Sequence, residues 1–204
     1  MHVEPRQIIF QYAKEWYSAN KPIIGTSNQT LTQLSWNSPN PGVCKINSDG
    51  SRNNTTGHIG VAGVLRDATG AWLKGYYVNL GIGSVLEAKL WGIFWGLSLA
   101  WDSGFQTMEV ESDTKVAVTL LNTLAISTHP LFSIINCRKL KMRAYWNCSI
   151  RHIFREQNCA FDALSAKSFD FNPGLHIFDG VPACIIDILA ANTRGDSRPC
   201  LLCF

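Results

Sequence analysis

The 204 residues predict an α/β domain over 42–170, built on a mixed five-stranded sheet with three antiparallel strands, then two parallel ones, and helices on both faces. Two observations carry this. Three β-type runs follow one another between Val43 and Leu80, separated by turn signals, which makes an antiparallel meander. Two further short β runs each lead into a helical pattern, and right-handed crossovers then set them parallel on the same sheet.

Before the meander, Ile8, Ile9, Tyr12, Ala13, Trp16 and Tyr17 recur at helical spacing. Residues 23–42 are rich in Ser, Thr, Asn, Gly and Pro and end in Ser38-Pro39-Asn40-Pro41-Gly42; prolines and a glycine so placed exclude a central strand and read as a linker. Residues 1–41 are therefore expected to be a helical segment and linker.

The first strand, Val43–Ser48, stops at Asp49-Gly50. The second, Ile59–Arg66, turns at Asp67-Ala68-Thr69-Gly70 into the third, Ala71–Leu80. Ser84 is the expected cap of a long helix that Gly104 stops near Ser103. Its apolar run from Leu90 to Trp101 is 12 residues long, short of the ~20 needed to span a bilayer. Thr107–Glu111 is a fourth strand, with helix from Thr114 and again from His129 to about Trp146. Cys148–Phe154 alternates as a fifth strand; Arg155–Asn158 reads as a loop before a closing helix over Ala160–Phe169. Residues 171–204 show no clear periodicity beyond a short helix near Ile185–Ala191 and are expected to be a tail.

Composition narrows the class. Hydrophobic residues at 46% and charged residues at 16% describe a globule with a substantial core. A net charge of +3 is too mild to name a partner. The seven cysteines are odd in number and scattered, and the N-terminus resembles no secretory signal; reduced thiols in the nucleus or cytoplasm, not secretion, are the expectation. Cys200 and Cys203 have ligand spacing, but no second nearby pair would complete a zinc site.

Asp49, Glu87, Asp113 and Asp162 carry the chemistry. Asp49 and Asp113 fall at carboxyl ends of expected strands, the edge where open α/β sheets assemble sites. Glu87 and Asp162 fall in first turns of helices that reach the same edge. Taken singly, each is a turn, cap or first-turn acid. Gathered at one point, such carboxylates repel one another unless hard cations such as Mg²⁺ or Mn²⁺ lie between them.

The segments Cys44–Ser51, Gly63–Gly70, Leu86-Glu87-Ala88, Val110–Asp113 and His152 through Leu164 together resemble a ribonuclease H domain, of the type associated with plant non-LTR retroelement reverse transcriptases. The resemblance covers about Trp36 to Phe169. It implies the ribonuclease H fold, a two-ion Mg²⁺ (or Mn²⁺) site on Asp49, Asp113, Asp162 and a helix glutamate, and endonucleolytic cleavage of the RNA strand of an RNA–DNA hybrid. Arg52, Asn53, Asn54 and Arg155 flank that site as candidate phosphate contacts, and Asn158 matches the family's loop spacing.

The helix glutamate is where this chain departs from the pattern. Gly96-Leu97 fixes the family register, which hands the position to Lys89; Glu87 lies two residues earlier, about 200° away around a helix. Either Glu87 reaches the site through a rotated helix start, or Lys89 places an ammonium in cation space, paired with Asp49 or Asp113. The first case is a nuclease acting on RNA–DNA hybrids. The second is a non-catalytic binder of hybrid or double-stranded nucleic acid. No membrane partner is expected.

Overall fold

The computed structural model describes residues 29–123, 129, 131–136 and 147–203. The helical segment expected in residues 1–22, and most of the helix expected from His129 to Trp146, lie outside them; residues 132–136 are helical.

The meander is β2 (Cys44–Arg52), β3 (His58–Arg66) and β4 (Trp72–Ile82), paired antiparallel. Two more strands, β5 (Thr107–Ser112) and β6 (Asn147–His152), add in parallel on the β2 side. The five strands and their directions are those expected. A sixth, β7 (Gly174–Phe178), pairs antiparallel with the outer edge of β4, giving the order β6-β5-β2-β3-β4-β7. Turn chemistry fixes the β3–β4 junction: the Asp67 carboxylate accepts from the backbone N–H of Thr69 at 2.8 Å and Ala71 at 3.0 Å, and Gly70 takes φ +83°.

Helix α1 (Val85–Asp102) lies across β2, β3 and β4 on one face of the sheet. Ala88, Gly92 and Gly96 recur every four residues and form a stripe without bulk, so the helix backbone comes close to the strand. A Cβ on Gly96 would stand 2.7 Å from Ile46, and one on Gly50 would stand 2.5 Å from the Ala88 carbonyl carbon. Ile46, Leu90, Ile93, Leu97 and Val110 fill this core. A short helix, α2 (Lys115–Asn122), follows β5.

Helix α3 (Arg155–Lys167) covers the other face through Phe161 and Leu164. It begins earlier than expected. Residues 155–158, read as a loop, form its first turn, because Arg155, Glu156 and Gln157 favour helix and the Gln157 side-chain oxygen accepts from the Phe154 N–H at 3.2 Å.

The expected limits of 42 and 170 prove narrower than the body they were meant to bound. Trp36, inside the expected linker, is buried. The expected tail supplies β7 and α4 (Ile186–Arg194), whose Leu189 joins Ile185 in the core under α3. It ends in β8 (Arg198–Cys203), which pairs antiparallel with β1 (Gln29–Leu34) as a separate two-stranded sheet.

Candidate functional site

The parallel pairing of β2 with β5 sets Asn47 beside Glu111; continuing two residues along each chain brings Asp49 level with Asp113. Asp49 lies within β2, which runs on to Arg52 instead of stopping at the expected turn. Asp162 sits two turns into α3, not in its first turn, because the helix starts at Arg155. Carboxylate oxygens of Asp49, Asp113 and Asp162 lie within 4.8 Å of one another.

Lys89 is the fourth member. Gly50, lacking a side chain, admits the α1 backbone at Ala88 and Lys89 directly against β2. From there the Lys89 Nζ donates to Asp49 Oδ1 and to Asp113 Oδ1, the latter at 2.7 Å. Burial works against the ammonium, but Asp49 and Asp113 overcome it and hold the Lys89 pKa above its ordinary value. Lys89 is therefore charged at neutral pH.

Glu87 lies outside the three-aspartate group. It closes the helix cap: its backbone N–H donates to Ser84 Oγ at 3.2 Å, and its Oε2 accepts from the Ser84 N–H at 2.7 Å.

The electrostatics follow from a count of charges. Three carboxylates face two cations, Lys89 and Arg155, and two of the aspartates, Asp49 and Asp162, are coupled to each other in titration. Asp49 is the most buried member. Burial pushes its pKa up to about 7 against the pull of Lys89, with Asp113 and Asp162 adding to the rise. Asp162 moves the other way: burial opposes the shift, but hydrogen bonds with Arg155 and Asp49 hold it below the usual carboxylate range.

The three aspartates form a group that could hold a divalent ion, but the arrangement as it stands does not present a free ligand set for a pair of them. Lys89 already donates to one oxygen of Asp49 and one of Asp113, and Glu87, the acid on the same helix, is spent on a cap. Hard cations need free oxygen ligands, and here a fixed positive charge stands among them.

The expected phosphate contacts separate into two kinds. Arg52 is exposed, its Nε donating to the Gly83 carbonyl at 2.9 Å and its guanidinium reaching Asn54 Oδ1 at 3.5 Å. Arg155 is also exposed and donates to Asp162 Oδ2 at 2.8 Å. Asn53 braces the β2–β3 turn, its Oδ1 accepting from the N–H of Thr55 at 2.9 Å and Thr56 at 3.1 Å. Asn158 is not a surface contact. It is buried, and its Nδ2 donates to the Ser48 carbonyl at 3.1 Å, fastening α3 to β2 beside Asp49.

Two lining residues escaped the sequence reading. A cavity of about 520 Å³ opens over the cluster, walled by Arg52, Lys89, Asp113, Lys115, His152, Arg155 and Asp162. Lys115 was legible as the cation opening the helix just after Asp113. His152 was not: it reaches the site because β6 pairs His152 with Ser112, leaving its Nε2 3.2 Å from the Asp113 carbonyl.

Beneath the acids the same sheet face carries a buried polar network that the sequence reading also missed. Lys45 pairs with Glu111 at 2.7 Å and Glu109 at 3.1 Å, and Arg151 pairs with both glutamates. Asn47 donates to Glu111 at 2.7 Å and accepts from Arg66 at 2.6 Å and from the Trp36 indole at 3.1 Å. The Arg66 guanidinium lies 3.6 Å from the Trp36 ring centroid. Buried charges persist only when partnered in this way.

Residues 47–168 match a family described as reverse transcriptase-like. A protein of Arabidopsis thaliana named for ribonuclease H is 34% identical over 196 residues, covering 93% of this chain and 32% of its own length. The chain thus spans about a third of that relative. The N-terminal RNase H domain of a Mycobacterium tuberculosis protein superposes with a TM-score of 0.56 at 21% identity, over 63% of this chain and 94% of its own. RNase H1 of Halobacterium salinarum gives 0.52 at 21% identity, over 63% and 98%. LC11-RNase H1, solved in complex with an RNA/DNA hybrid and isolated from compost, gives 0.57 at 20% identity, over 62% and 96%. At these identities the structural likeness speaks for the fold.

Proposed function

We propose that this chain, which belongs to the reverse transcriptase-like family and has its ribonuclease H-like fold, binds RNA–DNA hybrid or double-stranded nucleic acid without cutting it. The observation that carries the reading is the Lys89 ammonium held between Asp49 and Asp113. Hydrolysis of a phosphodiester by the family's route needs cations to stabilise the attacking and leaving oxygens, and here their place is taken by a group that cannot activate water in that way. What remains is a groove whose exposed Arg52 and Arg155, with Lys115 and His152, face the solvent at the sheet edge. Such contacts position a sugar-phosphate backbone without reading its sequence. A relative of the same fold was solved on an RNA/DNA hybrid, which supports that ligand class over a protein or small molecule.

A second reading, Mg²⁺-dependent cleavage of the RNA strand, rests on the three aspartates within 4.8 Å. It requires Lys89 to swing out to solvent. One experiment separates the two: an end-labelled RNA–DNA hybrid incubated with the chain and either Mg²⁺ or Mn²⁺, resolved on native and denaturing gels. The proposed function gives a shifted, uncut duplex. Cleavage that disappears in Asp49→Asn would establish the nuclease instead.

A further inference from the structure

Lys89 has a consequence beyond the loss of a metal ligand, and it rests on the duplex-binding reading above. We infer that Lys89 acts as a tethered cation that seats a backbone phosphate of the duplex directly, so that this groove engages nucleic acid without any divalent ion.

The donor count comes first. An ammonium has three N–H donors. Two go to Asp49 and Asp113, and the lysine side chain remains 13% exposed where it lines the 520 Å³ cavity. The third donor is therefore available to a ligand oxygen on the cavity side. The two aspartates hold the nitrogen in place, so little conformational freedom is lost when that oxygen arrives.

The balance of charge points the same way. A cavity lined by acids alone repels a phosphate until ions have bound. Here Arg52, Lys89, Lys115 and Arg155 line the cavity against Asp113 and Asp162, with Asp49 beneath them. Arg155 already neutralises Asp162 across 2.8 Å. Fixed cations thus outnumber the carboxylates at the wall, and an anion is accepted as the site stands. Such charge-assisted contacts are about twice as strong as neutral ones. Position 89 then sets the sign of the site. Lysine gives an anion seat that has no use for Mg²⁺; a glutamate there would give an anionic cavity that needs a cation first.

The test uses fluorescence anisotropy on a labelled RNA–DNA hybrid with the full chain, once in millimolar Mg²⁺ and once in EDTA, at matched ionic strength. The expected affinities agree within about a factor of two. Lys89→Glu should bind roughly tenfold or more weakly in EDTA and recover when Mg²⁺ or Mn²⁺ is added. Lys89→Arg should keep metal-free binding, which controls for a simple packing defect. Mn²⁺ titration followed by electron paramagnetic resonance, on protein without duplex, should show no tight site in the parent and a new one in Lys89→Glu. Parent binding that is lost in EDTA and restored by Mg²⁺ would overturn the inference while leaving the duplex-binding function standing. So would a Lys89→Gln variant that binds as tightly as the parent in EDTA. No binding of parent protein in either condition would overturn the function itself, and the inference with it.

Discussion

Lys89 and Asp49 define each other's state, and the pair sets how this protein responds to pH. Asp49 is pushed up to about 7 from the 3.8 of an ordinary aspartate, so the folded state holds a proton there that the unfolded chain releases at lower pH. Between about 4 and 7 the native state binds more protons than the unfolded one, and stability falls as pH rises through that window before levelling off. Asp162 contributes with the opposite sign, since its depressed pKa gives stability that is lost only at acid pH. The expected outcome is a unfolding free energy lower at pH 8 than at pH 5.5 by urea denaturation, with the difference flattened in Asp49→Asn. Equal slopes for parent and variant would show that the proton resides elsewhere. The trio of aspartates was legible at this scale because each sits in a short motif, although Asp49 lies within β2 and Asp162 two turns into α3, not at the element ends expected for them. The fate of Asn158 was not. Motif spacing placed it near Asp162, but only the packing of α3 on β2 buries it against the Ser48 carbonyl.

At the scale of elements, α1 decides which of two neighbouring residues meets the acids. Its first turn is pinned by the reciprocal bonds between Ser84 and Glu87, and its approach to β2 is set by Gly50 and the Ala88-Gly92-Gly96 stripe. With the start pinned, the helix cannot rotate by the roughly 200° that would exchange Lys89 for Glu87. Ser84→Ala should cost about 1 kcal/mol of stability, measurable as a lowered urea midpoint, whereas Glu87→Gln keeps an acceptor at the same box position and should leave the midpoint nearly unchanged. Neither should alter hybrid affinity or Mn²⁺ binding. A change in either ligand property in Glu87→Gln would mean that Glu87 reaches the cavity after all. The helix, its cap and its length could all be read from the chain, because capping and apolar runs are local. The early start of α3 could not: the loop reading gave no weight to the helix propensity of Arg155-Glu156-Gln157.

Across the whole molecule, described residues of the stretches expected to be linker and tail, within 29–41 and 171–203, contribute to the folded body. Trp36 closes the polar network under the acids, stacked on Arg66 and donating to Asn47, while Ile185 and Leu189 complete the core beneath α3. Trp36→Ala should therefore destabilise the fold by about 3–5 kcal/mol, as for other buried tryptophans, because it opens a cavity and strips Arg66 of its stacking partner. A shift in midpoint of the size seen for surface substitutions would return Trp36 to the linker. Hydrophobic period, turn residues and capping residues are local signals, so the order of strands and helices, the mixed sheet and the positions of Asp49, Asp113 and Asp162 were written in the chain. The family resemblance, through Gly96-Leu97, put Lys89 in the glutamate's register and left Glu87 as the alternative. That the Lys89 nitrogen touches both Asp49 and Asp113, that Glu87 turns back onto Ser84, and that β7 extends the sheet depended on contacts between residues distant along the chain. Those contacts follow from how closely one element can approach another, and at Gly50 that distance is set by the absence of a single side chain.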